Sequence, residues 1–325
     1  MSSHTSQPLS VSFPTDPSFP KPQTFADAIA YLQTLALQEF DREVAEQQLC
    51  YHNRHHVVGV QCRANQIFQV ICPYLNSTED CDRLQQLLDL CAITHDLIQI
   101  FVPQSDPHTA RRRAAGVSEH ATIERLFELI KLLNEQALTQ SAQLSAQDLH
   151  IIQEAIAATI CEYDATEQAI FQPLLYQQQP ISWVARILAL ADIGALGMDG
   201  ITAYNLEGSL LFLEENLDVR SLIQNQQLET LMVDNPVLHE NIRQRLLRRT
   251  RFQVNLAKSR LNRCPQELAA FPSEVIPVLT HEVFRYLTPE TIGAILASTP
   301  TADDTPVDVL INFFQFEQAL AAGAL

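Results

Sequence analysis

The amino-acid sequence predicts an all-α protein, a helical bundle followed by a small helical extension. Three observations carry that expectation. Only 8 of the 325 residues are Gly, while Leu, Ala and Gln, which form helices readily, are abundant. Long stretches contain neither Gly nor Pro, and apolar residues recur in them at helical spacing. No run alternates apolar and polar residues convincingly, as a half-buried strand would.

Residues 1–23 carry Pro8, Pro14, Pro17, Pro20 and Pro22 among Ser, Thr and Gln, which predicts an extended or disordered arm. Thr24 is the expected N-cap of a first helix reaching about Leu49, with Phe25, Ile29, Leu32, Leu35, Ala36 and Phe40 on one face. A break at Cys50-Tyr51 leads to a second helix, about His52 to Pro73, and a third runs from about Thr78 to Phe101. A polar loop over 102–116 holds Arg111, Arg112 and Arg113. Val117 or Ser118 opens a fourth helix to about Gln136. Ser145 with Asp148 reads as a capping box, opening a helix to about Tyr163. Further helices are expected over Ser182–Leu196, Leu206–Asn216 and Ser221–Met232, the last with Ser221 as a candidate N-cap. Pro236 suits the first turn of a long helix to about Asn262, which Pro265 should interrupt. These elements divide the chain into a main domain, 24–262, and an extension, 263–325, with two or three short helices separated by prolines.

The net charge of −17 repels phosphate backbones and argues against general nucleic-acid binding, while leaving room for a small phosphorylated ligand. Seven cysteines, an odd number without a CxxC pair, read as reduced core residues of a cytoplasmic protein. No segment has the 18 apolar residues of a membrane span, and the polar N-terminus does not resemble a secretory signal. The oligomeric state is not readable.

The most informative segment is the apolar run from Leu87 to Phe101, with His95-Asp96 inside it. A buried carboxylate costs several kcal/mol unless it is paired. A structural His–Asp hydrogen bond would satisfy it, and so would a metal ion. Three other places sharpen the choice. His52 and His56 are four apart in Tyr51-His52-Asn53-Arg54-His55-His56, which would place them on one helix face. Asp192 is a lone carboxylate in the apolar run Ile187–Leu196. Glu119 follows the arginine-bearing loop. Two imidazoles and two carboxylates, from His56, His95, Asp96 and Asp192, suit one first-row divalent ion with positions open for water and substrate.

The order His, His-Asp, Asp on helices resembles the HD superfamily of metal-dependent phosphohydrolases, and YHNRHH is similar to the HNxxH signature of its cyclic-nucleotide phosphodiesterase branch. The resemblance spans about residues 51–200. It implies a helical HD-type bundle, with His56, His95, Asp96 and Asp192 as ligands, His52 as the general acid and Glu119 orienting water. Asn53 and the guanidinium forks of Arg111, Arg112 and Arg113 are the expected substrate contacts. Where those phosphodiesterases place a further His, this chain has Leu97-Ile98-Gln99-Ile100, so one ion (Mn, Fe, Zn, Co or Mg) is expected rather than two. The implied function is hydrolysis of a nucleotide or other small phosphate ester. The rival is a ligand-sensing or protein-interaction module with a vestigial or non-catalytic metal site. In that rival the Pro-rich arm and the basic stretch Arg243–Arg263 would serve partners; otherwise that stretch is a solvated face pairing with acids.

Overall fold

A computed structural model describes residues 21–75, 80–177, 179–227 and 234–323. The protein is all-α, with one small hairpin among the described residues. In order it has α1 (Phe25–Gln47), α2 (Arg54–Ile71), α3 (Cys81–Thr94), α4 (Val117–Gln136), α5 (Ala146–Ala157), β1 (Glu162–Asp164) and β2 (Ala169–Phe171). There follow α6 (Trp183–Asp192), α7 (Ala195–Met198), α8 (Ile201–Glu215), α9 (Leu217–Gln224) and α10 (Pro236–Leu268). A helical turn at Ile276–Val278 continues as a π-helical turn, Leu279–Val283. The chain ends in α11 (Pro289–Ser298), α12 (Val307–Phe314) and α13 (Phe316–Gly323).

Local chemistry sets these boundaries. Asp27 N donates to Thr24 Oγ1 at 3.1 Å and Thr24 N donates back to Asp27 Oδ2 at 2.9 Å, a reciprocal cap on α1. Ser145 and Asp148 cap α5 in the same way. Pro236 opens α10, where its missing N–H costs no hydrogen bond. The apolar stripes of α1, α2, α3, α5 and α6 then bury against one another, with Leu32, Ile67, Leu88, Leu90 and Ile187 in a shared core. α6 is apolar on nearly every side and is correspondingly buried.

Several expectations need correction. β1 and β2 pair antiparallel through only three residues a side, too few for alternation to register in the sequence. α3 stops at Thr94 rather than Phe101. Beyond it the backbone turns away, and Ile98 N and Ile100 N donate to the hydroxyls of Thr122 and Ser118 on α4. α5 ends at Ala157, six residues early. Pro265 lies inside α10 instead of ending it; a mid-helix proline costs about 3 kcal/mol, which burial of Cys264 and Leu268 in the core offsets. α8 starts at Ile201, directly after Gly200 at φ +90°. Ser221 lies within α9, not at its cap. The 1–20 part of the Pro-rich arm, the Thr78 start of the third helix and residues 228–233 lie outside the described residues.

The expected boundary at 262 falls inside α10. Cys264, Leu268, Phe271, Leu279 and Phe284 belong to the same core as α1–α6. The last two helices pack Leu310, Phe314, Phe316 and Ala319 against Phe212, Leu213 and Val219 of α8 and α9. Among the described residues no helix is long and apolar enough to cross a membrane.

Candidate metal centre

Three chain segments converge beside one pocket. The first is the N-terminus of α2. His52 precedes this helix and Asn53 is its N-cap, in extended conformation (φ −143°). Asn53 Oδ1 accepts from His56 N at 3.1 Å, and its Nδ2 donates to the Cys50 carbonyl at 2.7 Å. This corrects two expectations. His52 and His56 do not share a helix face, and the Asn53 amide is engaged in capping rather than lining the pocket. The second segment is the end of α3, where His95 is the C-cap and Asp96 follows. The third is Asp192, the last residue of α6.

The side chains of His56, His95, Asp96 and Asp192 offer ligand atoms that all lie within 4.8 Å of one another. Asp96 Oδ2 is 3.2 Å from His56 Nε2 and 3.0 Å from His95 Nε2. Asp192 Oδ1 is 3.6 Å from His56 Nε2 and 3.5 Å from His95 Nε2. Ligands about 2.1 Å from a single ion stand roughly 3–3.5 Å apart, so these separations match neighbours on one coordination sphere. His56 Nε2 and His95 Nε2 are buried and, among the described residues, make no hydrogen bond of good geometry, although both face the Asp96 and Asp192 carboxylates. Buried nitrogens are seldom left unpaired in native proteins, and a cation would satisfy both. His95 Nδ1 donates to the Ala92 carbonyl at 2.9 Å, which leaves the Nε2 lone pair facing the carboxylates. This is how metal-binding imidazoles are usually oriented. A borderline N/O donor set of this kind suits a divalent first-row ion.

The electrostatics agree. Burial works to raise the Asp192 carboxyl, but its contacts with His56 and His95 hold it at about 2. Asp96 is likewise held well below the usual carboxylate range, against its burial, chiefly by the charge of His95. Burial disfavours charge on His95, yet the two carboxylates push its pKa well above that of a free imidazole. Without a metal, the cluster therefore holds protons where a cation would sit.

His52 lies beside the cluster, its Nε2 3.8 Å from Asp96 Oδ2. Its Nδ1 is 2.5 Å from Glu214 Oε1, a contact between fully buried groups. The other oxygen of Glu214, Oε2, accepts from the backbone N–H groups of Cys50, Tyr51 and His52 at 2.9–3.0 Å. Burial raises the Glu214 carboxyl, but His52, Arg113 and the backbone donor bring it down to about 2. A fixed anion at Nδ1 sets the imidazole tautomer, with Nδ1–H toward Glu214 and a lone pair on Nε2. Arg113 Nη1 donates to that Nε2 at 2.8 Å and to Gln99 Oε1 at 2.6 Å.

The pocket has a volume of about 740 Å³ and is bordered by His52, Asp96, Asp192, Glu119 and Arg113, continuing outward to Arg112 and Arg249. Glu119, in the first turn of α4, has its carboxyl raised by burial and by the charges of Asp96 and Asp192. The three loop arginines differ. Arg111 is buried, stacks over Phe101, and donates to the carbonyls of Glu214, Gln47 and Gln48. Its fork is engaged by three backbone carbonyls, while the residue still borders the pocket. Arg112 is exposed at the pocket mouth, its backbone bridging Val102. Arg113 faces the centre.

Three residues near the centre escaped the sequence reading. Glu214 is 162 positions from His52 and reads as an ordinary acid at the end of a helix. Gln99 fixes both Arg113 and the Asp96 carbonyl. Gln172 is fully buried and its Nε2 lies 3.5 Å from Asp192 Oδ2. The buried carboxylate in the apolar end of α8 is the one signal that could have singled out Glu214. Comparison of the chain with family models, curated proteins and solved structures finds no match.

Proposed function

We propose that the protein is a metal-dependent phosphohydrolase acting on a nucleotide or other small phosphate ester. The observation that carries this reading is the convergence of two buried imidazole nitrogens on two carboxylates, Asp96 and Asp192, that border a pocket also presenting His52 and Arg113. His56, His95, Asp96 and Asp192 would hold the ion, which supplies Lewis acidity at the phosphoryl group and an activated water. Arg113, which forms no close ion pair among the described residues, offers a guanidinium suited to a phosphoryl oxygen. Drawn onto the substrate, it releases His52 Nε2. His52, held by Glu214 at Nδ1, can then carry a proton at Nε2 and deliver it to the leaving oxygen. Glu119, its carboxyl raised by burial and by the charge of Asp96, is placed to exchange a proton with water in the pocket.

One observation favours a second reading, a ligand-sensing module that keeps its metal without turnover. Arg113 donates to the same His52 nitrogen that would have to carry the departing proton. Turnover separates the two readings. Phosphomonoesters, phosphodiesters and nucleotides would be assayed with Mn, Fe, Zn, Co and Mg in turn. Metal-dependent hydrolysis that is lost in His95→Ala supports the enzyme. Full metal occupancy with no hydrolysis in any combination supports the sensor.

A further inference from the structure

The outer half of the pocket has a feature that a simple phosphate ester would not use. α10 presents Arg249 and Gln253, four residues apart and on one face. Both reach Gly208 of α8. Arg249 Nε donates to the Gly208 carbonyl at 3.2 Å. The Gln253 amide lies over the Gly208 Cα, so close that a Cβ there would overlap its Nε2. Gln253 is only 2% exposed, yet among the described residues neither its amide nitrogen nor its amide oxygen has a partner. A buried amide left open on both sides of its hydrogen-bonding edge is costly unless a ligand completes it.

Charge says what that ligand carries. In a chain of net charge −17, most arginines of α10 are paired: Arg243 with Glu240, Arg245 with Asp218, Arg251 with Asp303, Arg260 with Glu267 and Arg263 with Asp164. Arg248 and Arg249 form no ion pair among the described residues, and neither does Arg112 across the pocket mouth. Arg112 and Arg248 are close enough to repel each other. Glu215, on the pocket wall, feels the charges of both Arg249 and Arg113 but forms an ion pair with neither among the described residues; Glu207, also on the pocket wall, is taken by Arg63. Like charges held together without close ion pairs attract an anion. The pocket volume of about 740 Å³ falls among those of sites for whole small molecules.

From this we infer a second anion subsite, formed by Arg249 and Gln253 over Gly208 with Arg112 at the rim, so that the substrate carries a second phosphoryl group remote from the one at the metal centre. This rests on the phosphohydrolase reading for the first group. Gly208 is the permissive residue, since only a missing side chain lets α10 bring both groups against α8.

The test uses binding, without turnover. Isothermal titration of the metal-loaded protein would compare methylphosphonate with α,ω-alkane bisphosphonates of increasing spacer length. One spacer length should bind about tenfold or more tighter than methylphosphonate. Arg249→Gln should lose that gain while keeping its metal and its methylphosphonate affinity, and Gly208→Ala should reduce it by displacing Gln253. If Arg249→Gln does not fold, Arg112→Gln, at an exposed position, is the substitute and should weaken the same gain. No gain at any spacer length overturns the subsite, as does a gain that survives intact in the arginine variant. Bisphosphonate gain without hydrolysis of any ester counts against the phosphohydrolase reading alone. Ester hydrolysis without bisphosphonate gain counts against the subsite alone.

Discussion

Glu214 has no exposed surface, yet it carries four hydrogen-bonding contacts: three backbone amides and the imidazole of His52. Its carboxyl is depressed from 4.5 to about 2. A group with a depressed folded pKa contributes stability that is present above its unfolded pKa and lost as pH falls through the folded one. Glu214 therefore contributes on the order of 3 kcal/mol above about pH 4.5, lost between there and about pH 2. Glu214→Gln should flatten that part of the stability–pH profile, measured by chemical denaturation from pH 2 to 6. An unchanged acid slope would mean that the carboxylate is not charged in the folded state. The same variant should lower turnover, because the amide no longer fixes the His52 tautomer. His52→Ala should keep the metal and lose about 10²–10⁴-fold in rate on esters with poor leaving groups, and less on a nitrophenyl ester. Equal losses on the two substrates would remove His52 as the proton donor.

At the scale of elements, the caps decide where the ligands point. Asn53 ends the Cys50–His52 turn and begins α2 in the register that aims His56 inward. Asn53→Ala should cost about 0.5–2 kcal/mol from the lost cap, visible as a lower Tm. It should also weaken metal binding, because the position of His56 depends on that cap; metal affinity equal to wild type would separate the two roles. The helices were readable because their apolar spacing and caps are local properties, and Thr24, Ser145 and Pro236 mark starts where the sequence places them. The stops were harder. α3 ends at Thr94 because hydroxyls on α4 take up the next backbone amides, a contact made across sequence. The convergence of the group was readable for a different reason: His95, Asp96 and Asp192 are polar residues in apolar runs, and desolvation demands a common partner. Glu214 and Gln253 make their decisive contacts with residues far along the chain, so no local pattern announces them.

Across the whole molecule, the C-terminal helices brace the helix that holds Glu214. Phe314 and Phe316 stack with Phe212, and Ser209 Oγ donates to the Phe314 carbonyl at 2.8 Å. Phe314→Ala should destabilise by about 3–5 kcal/mol and loosen α8, lowering turnover more than metal content; equal falls in both would indicate global unfolding. The cluster itself links metal, protons and stability. His95 is raised well above 6.5 while Asp192 is held at about 2. In the metal-free protein the His95 contribution is therefore fully present below about pH 6.5 and fades as pH rises through its folded pKa, whereas the Asp192 contribution is present above about pH 3.8. A metal bound there would displace those protons, so its affinity should rise with pH and calorimetry in two buffers should show proton release.

The most direct test is the metal content of the purified protein, measured by inductively coupled plasma mass spectrometry alongside Tm before and after chelation. Expected are about one divalent ion per chain, a Tm that falls on chelation and recovers on reloading, and loss of both ion and Tm shift in His95→Ala and Asp192→Asn. A protein that binds no divalent ion under metal-replete conditions, or the same ion content in wild type and both variants, would contradict the metal centre.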